Sequence, residues 1–106
     1  MRSRKRRIEE LKKKLRSPSK EERIDAIREL EIIEAEEAVD ELIEALKDEN
    51  GDVCKEAAWV LGMIKPEKAV GPLIEALNDE NKRVRKQAAW VLGKIGLEKA
   101  IDAQRH

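Results

Sequence analysis

Ala57-Ala58-Trp59-Val60-Leu61-Gly62 recurs unchanged as Ala88-Ala89-Trp90-Val91-Leu92-Gly93, an offset of 31 residues. The register holds on both sides, since Asn50, Val53, Lys55, Ile64, Glu67, Lys68 and Ala69 fall over Asn81, Val84, Lys86, Ile95, Glu98, Lys99 and Ala100. An earlier copy sits at the same offset. Ala38, Val39, Leu42, Ile43, Glu44, Ala45 and Leu46 match Ala69, Val70, Leu73, Ile74, Glu75, Ala76 and Leu77, while Ala26, Leu30 and Ile33 match Ala57, Leu61 and Ile64. Self-similarity at a fixed period marks a repeat array, in which each unit buries its apolar face only against its neighbours. One domain over residues 1–106 is expected, with a capping half-repeat at 4–16, full repeats at 19–49 and 50–80, and a truncated repeat at 81–106. The half-repeat is read from Ile8, Leu11 and Leu15, which precede Val39, Leu42 and Leu46 by one period.

Two helical stripes fill each full repeat. Val53, Ala57, Val60, Leu61 and Ile64 form one, and Val70, Leu73, Ile74 and Leu77 the other, at the i, i+3, i+4 spacing of a helix with one buried face. Stacked antiparallel helix pairs satisfy both, so the expected fold is all-α, an α-solenoid. Ser17-Pro18-Ser19-Lys20-Glu21-Glu22 offers a serine cap with a glutamate three residues on, and Asn50 and Asn81 offer caps to the later repeats. Pro66 and Gly96 stand at turn positions between the helices of a repeat. Pro72 falls inside the second helix, where a missing amide hydrogen is expected to bend the axis.

Charged residues make up 43% of the chain and neither Phe nor Tyr occurs, yet the periodic Leu, Ile, Val and Ala argue for a folded chain over a disordered one. The same composition suits a heat-adapted source or an idealised engineered repeat. Formal net charge is zero, but residues 1–16 hold nine Lys or Arg against two acids, leaving +7 there and −7 on the remainder. No apolar run approaches a membrane span, the basic N-terminus lacks the apolar stretch of a signal peptide, and the single Cys54 has no intrachain partner. A soluble, cytoplasmic protein is expected.

The pattern Val-x-Lys-x-Ala-Ala-x-Val-Leu-Gly-x-Ile, then Glu-Lys-Ala-Val-x-Pro-Leu-Ile-Glu-Ala-Leu-x-Asp-Glu, resembles the short HEAT-like repeats of the phycobilisome-lyase type, including artificial consensus arrays based on them. The resemblance covers about residues 19–103 and implies an all-α solenoid with a 31-residue HEAT-like repeat. Members of that family include bilin lyase subunits, protein-binding scaffolds and a di-iron hydroxylase. The hydroxylase's His-Glu pairs do not occur here, and no pigment-binding residue is visible. At the position where the family often carries Arg, this chain has Arg23, Cys54 and Arg85, which implies a stacked polar ladder broken in the middle. Glu31 and Glu34 stand where Gly is usual.

On a helical wheel Trp59 leaves the buried arc and shares its direction with Asp52, Glu56 and Met63; Trp90 falls with Arg83, Gln87 and Lys94, and the first repeat places Glu21, Asp25, Arg28 and Ile32 there. In HEAT-like families this row is commonly the concave, partner-receiving face. The expected site for a protein or peptide partner is therefore Arg28, Ile32, Asp52, Glu56, Trp59, Met63, Arg83, Gln87, Trp90 and Lys94, with the tryptophans as anchors. A rival reading has the two rings filling a gap between repeats.

The basic arm supplies a second candidate, nucleic-acid contact through Arg2, Arg4, Lys5, Arg6 and Arg7, set against a plainer role as a charged cap over the first repeat. At the other end Gln104 and Arg105 replace the apolar residues of the second stripe. Ala100 and Ile101 are expected to be too little to cover Val84, Ala88, Val91, Leu92 and Ile95, which suggests a homodimer through that end or a frayed last helix. Catalytic chemistry is not expected: His106 is a lone histidine, Cys54 reads as a packing residue, the Asp48-Glu49 and Asp79-Glu80 pairs read as solvated turn acids, and no metal or cofactor is called for. Protein binding by a scaffold is the leading reading, with a nucleic-acid module or a minimal fold without a natural partner as alternatives.

Overall fold

A computed structural model describes residues 2–64 and 67–104, with side chains for 3–64 and 67–96. Among the described residues six α-helices follow one another: α1 (Arg2–Lys14), α2 (Lys20–Ile32), α3 (Val39–Ala45), α4 (Gly51–Ile64), α5 (Val70–Ala76) and α6 (Lys82–Gln104), with short 3-10 turns at Glu36–Ala38 and Glu67–Ala69 leading into α3 and α5. Helices α2, α4 and α6 pack side by side, and α1, α3 and α5 each approach the helix that follows them. No strand occurs among the described residues. This is the stacked α-solenoid that the period implies.

Local chemistry sets the boundaries. Ser19 caps α2 by accepting the Glu22 amide at 3.3 Å, with Glu21 and Glu22 placing negative charge against the positive end of the helix. Asn50 accepts the amides of Asp52 and Val53 at 2.9 and 3.2 Å, and Asn81 accepts that of Arg83 at 2.8 Å. Helix α2 ends in a paired closure: the Ala35 amide donates to the Leu30 carbonyl at 3.0 Å and the Glu34 amide to the Glu31 carbonyl at 2.9 Å. That closure needs a left-handed residue, and Glu34 supplies it at φ 52°. The usual glycine of this position is thus replaced by a residue that pays in backbone strain.

The core runs as one apolar strip through the array, from Ile8 and Leu11 of α1 through Ile27, Leu30, Leu42 and Leu46 to Val53, Val60, Leu61, Leu73, Val84 and Val91. Four expectations are corrected. Val84, Ala88, Val91 and Ile95 are buried and Leu92 partly so, because α6 packs on α4 and α5 rather than waiting for a later helix. The uncovered residues lie on α5: Ile74 is 52% and Leu77 37% exposed, whereas Ile43 and Leu46, one period earlier, are 7% and 0% exposed. No turn forms at Gly96, since α6 continues through it to Gln104. Pro72 lies in the first turn of α5, where amides lack helical partners, so it removes no bond. Pro66, Arg105 and His106, and the side chains of Ala100, Ile101 and Gln104, lie outside the described residues.

The polar ladder is not broken. Arg23 donates to the carbonyls of Ser17 and Pro18 at 2.7 and 3.2 Å, and Arg85 to those of Asp79 and Glu80 at 2.7 and 2.9 Å. The matching carbonyls of the middle repeat belong to Asp48 and Glu49. There Cys54 donates its thiol to Asp48 at 2.8 Å, and the guanidinium arrives from the next repeat, with Arg83 reaching Asp48 and Glu49 at 2.9 and 3.1 Å. Asp48 is no solvated turn acid either: its carboxylate lies 3.0 Å from Arg23 Nε and accepts the Asn50 amide at 2.8 Å. Burial, the largest influence on it, pushes the Cys54 thiol above its ordinary pKa.

Candidate functional site

The side-by-side packing of α2, α4 and α6 turns the row of outward positions into a surface of three parallel files. Trp59 and Trp90 occupy matching places on α4 and α6, and their rings stack with centroids 6.1 Å apart and planes 20° from parallel. Both remain half exposed, at 49% and 43%. Trp90 also lies over α4: a Cβ added at Gly62 would stand 3.3 Å from its Cζ3 and 3.4 Å from Lys94 Cγ. Glycine at 62 therefore gives the ring room to lie across the neighbouring helix, so packing between repeats and exposure on the surface belong to one arrangement. Met63, one turn beyond Trp59, is 43% exposed, and Ile32 at the matching place on α2 is 77% exposed.

Not all ten residues of the expected site face solvent unengaged. Arg28 spans α2 and α4 to hydrogen-bond Glu56 at 3.0 Å, and that carboxylate raises the guanidinium above its ordinary pKa. Arg83 is turned to the Asp48 and Glu49 carbonyls. Asp52 is exposed, whereas Gln87 and Lys94 are partly covered. The surface is thus an apolar centre of Ile32, Trp59, Met63 and Trp90 with the Arg28–Glu56 ion pair beside it.

Beyond Met63 the C-terminal ends of α2 and α4 and the start of α1 enclose a cleft of about 790 Å³. Four carboxylates line it, from Glu31, Glu34, Glu36 and Glu37, against Arg4 and Lys68. Arg4 donates to the Ile33 carbonyl at 2.8 Å and to Glu37 at 3.2 Å. The sequence signal for this cleft was the acid-rich stretch Glu31–Glu37, but only the folded chain brings it beside Met63.

The arm folds onto the body. Ile8 and Leu11 are buried, Arg7 makes a two-pronged contact with Glu29, and Lys12 lies 3.8 Å from Glu41. The Arg7 hydrogen bonds hold the Glu29 carboxyl below its ordinary range. Lys5 and Arg6 are exposed, and the side chain of Arg2 lies outside the described residues. No helix among the described residues is long and apolar enough to cross a membrane, and no group of three or more His, Cys, Asp or Glu among them is placed to hold a metal ion.

Stacked helical repeats with an exposed row on one layer define a class, the α-helical solenoids. Within it, the chain matches HEAT repeats over residues 8–76 and again over 50–103, and it belongs to the HEAT-repeat family. The match is to HEAT repeats as a class. No curated protein matches the chain.

Proposed function

We propose that this protein is a non-catalytic protein-binding module whose partner docks on the face carrying Trp59 and Trp90. The observation that carries the reading is the half-exposed, stacked pair of tryptophans flanked by Met63 and Ile32. Aromatic side chains already ordered by a neighbour lose little conformational freedom on binding, and tryptophan dominates interface hot spots. HEAT repeats as a family serve protein interaction and scaffolding. Pairing of Arg4, Arg7 and Lys12 with Glu37, Glu29 and Glu41 supports a capping role for the arm over phosphate contact.

The test is selection of binders from a displayed peptide library, followed by titration of the selected peptides against wild type and Trp59→Ser. Trp59 is the residue to change because Trp90 also covers Gly62. A loss of at least about tenfold in affinity, the effect of a modest hot spot, is expected. Equal binding by the variant would refute the assignment. A second reading, self-association through the α5 end, is carried by the exposure of Ile74 and Leu77.

A further inference from the structure

We infer that the segment captured on the tryptophan face is basic, an amphipathic helix whose apolar side chains rest on Trp59, Met63 and Ile32 while its Lys or Arg residues enter the acidic cleft. This rests on the docking face proposed above and adds the chemistry of its occupant. Met63 belongs to both surfaces, so the apolar ridge and the cleft are continuous.

Charge selects the occupant. In the cleft, Glu37 already has Arg4, which is itself held by the Ile33 carbonyl. No hydrogen bond or ion pair joins Glu31, Glu34 or Glu36 to another described side chain, and Lys68 is the one further cation of the described wall. Acids also stand at the opposite edge of the ridge, where Asp25 and Asp52 are exposed. Between these borders Arg28 is tied to Glu56, while Lys55, one turn before Trp59 on α4, is exposed. A segment that rests apolar residues on the ridge and extends cations into the cleft meets opposite charge there, whereas an acidic segment meets repulsion.

Dimensions suit a helix. Trp59 and Met63 are one turn apart, about 6 Å along α4 at 1.5 Å per residue, and Asp52 lies about 10 Å on the other side of Trp59. An approaching helix with apolar residues at i and i+4 and cations a turn or two beyond matches these intervals. Glu34 strengthens the choice, because its left-handed backbone would be relieved by glycine and the carboxylate is nevertheless present at the cleft.

The test uses the full chain and two synthetic amphipathic peptides of equal length and Leu content, one with Lys and one with Glu on its flanks, titrated against tryptophan emission. The Lys peptide is expected to bind, with affinity falling as salt rises. The Glu peptide should bind at least about tenfold more weakly, and the triple variant Glu31→Gln, Glu34→Gln, Glu36→Gln should weaken the Lys peptide by about tenfold with its melting curve unchanged. Glu34→Gly alone should raise the melting temperature and still weaken the Lys peptide. Equal binding of the two peptides, or an unaltered affinity in the triple variant, overturns the basic-partner inference while leaving the tryptophan face intact if Trp59→Ser still loses binding. Binding of the Lys peptide that ignores Trp59→Ser removes the docking face and this inference together, and failure of both peptides to bind overturns the inference outright.

Discussion

Removing the Arg83 side chain tests whether a guanidinium borrowed from the next repeat replaces the one missing at Cys54. Arg83 donates to two carbonyls, those of Asp48 and Glu49. A hydrogen bond from a charged donor contributes about 1.5–3 kcal/mol when buried. Here the Asp48 carbonyl keeps the Cys54 thiol and Glu49 is exposed to water, so Arg83→Ala is expected to cost about 1–2 kcal/mol. For a chain of this size that lowers the melting temperature by about 4–8 °C per kcal/mol. Cys54→Arg alone should destabilise by about 2 kcal/mol or more, since a second guanidinium would crowd carbonyls already satisfied. When Cys54→Arg is combined with Arg83→Ala, however, the introduced guanidinium can repeat what Arg23 does to Ser17 and Pro18 and what Arg85 does to Asp79 and Glu80. The double variant should therefore be more stable than the sum of the singles by about 1–3 kcal/mol, measured by urea unfolding followed by circular dichroism. Additivity within about 0.5 kcal/mol would show that the two positions do not share these carbonyls.

Glu34→Gly should raise stability by about 0.5–1 kcal/mol, because the closure of α2 needs a left-handed residue; unfolding of this variant in urea at a lower midpoint than wild type would contradict it. The lowered Glu29 pKa gives an acid dependence of definite sign: the stabilisation is present above the ordinary carboxylate pKa and fades as pH falls through the lowered value. Glu29→Gln should accordingly flatten the acid limb of thermal stability, and an unchanged limb would place the dependence elsewhere. Leu42→Ala, in the fully buried strip of α3, should cost about 2–4 kcal/mol in the same urea assay, and a cost below about 1 kcal/mol would mean the core there collapses around the gap. Sedimentation equilibrium should detect concentration-dependent association that Ile74→Lys with Leu77→Lys abolishes; a wild-type monomer at high concentration would retire that reading.

Much of the fold was legible because a repeat states its rules more than once. Asn50 and Asn81 fell at equal offsets and both act as caps, and the wheel that separated Trp59 from Val60 and Leu61 matches the burial of each. Spacing tells which face of a helix is apolar but not which neighbour covers it, so Val84 and Val91 were expected to be open and Ile74 to be buried, the reverse of what α4 and α5 produce. Pro72 turned on a boundary shift of a few residues, the scale at which helix ends are least readable. Arg83 could not be read as the partner of the carbonyls beside Cys54 because the contact crosses from one repeat to the next. The cleft escaped notice for a related reason: its walls come from α1, from the end of α2 and from the end of α4.

The stacked indoles have a consequence for how the molecule can be watched. Their rings belong to successive helices of the array and lie close enough for their electronic transitions to couple, so the pair should give an exciton signal in the far-ultraviolet circular dichroism. Any bending of the superhelix that parts α4 from α6 must change the distance and angle between the two chromophores, and a tightening must do the opposite. The curvature of the array is thereby written into an optical signal that needs no added label.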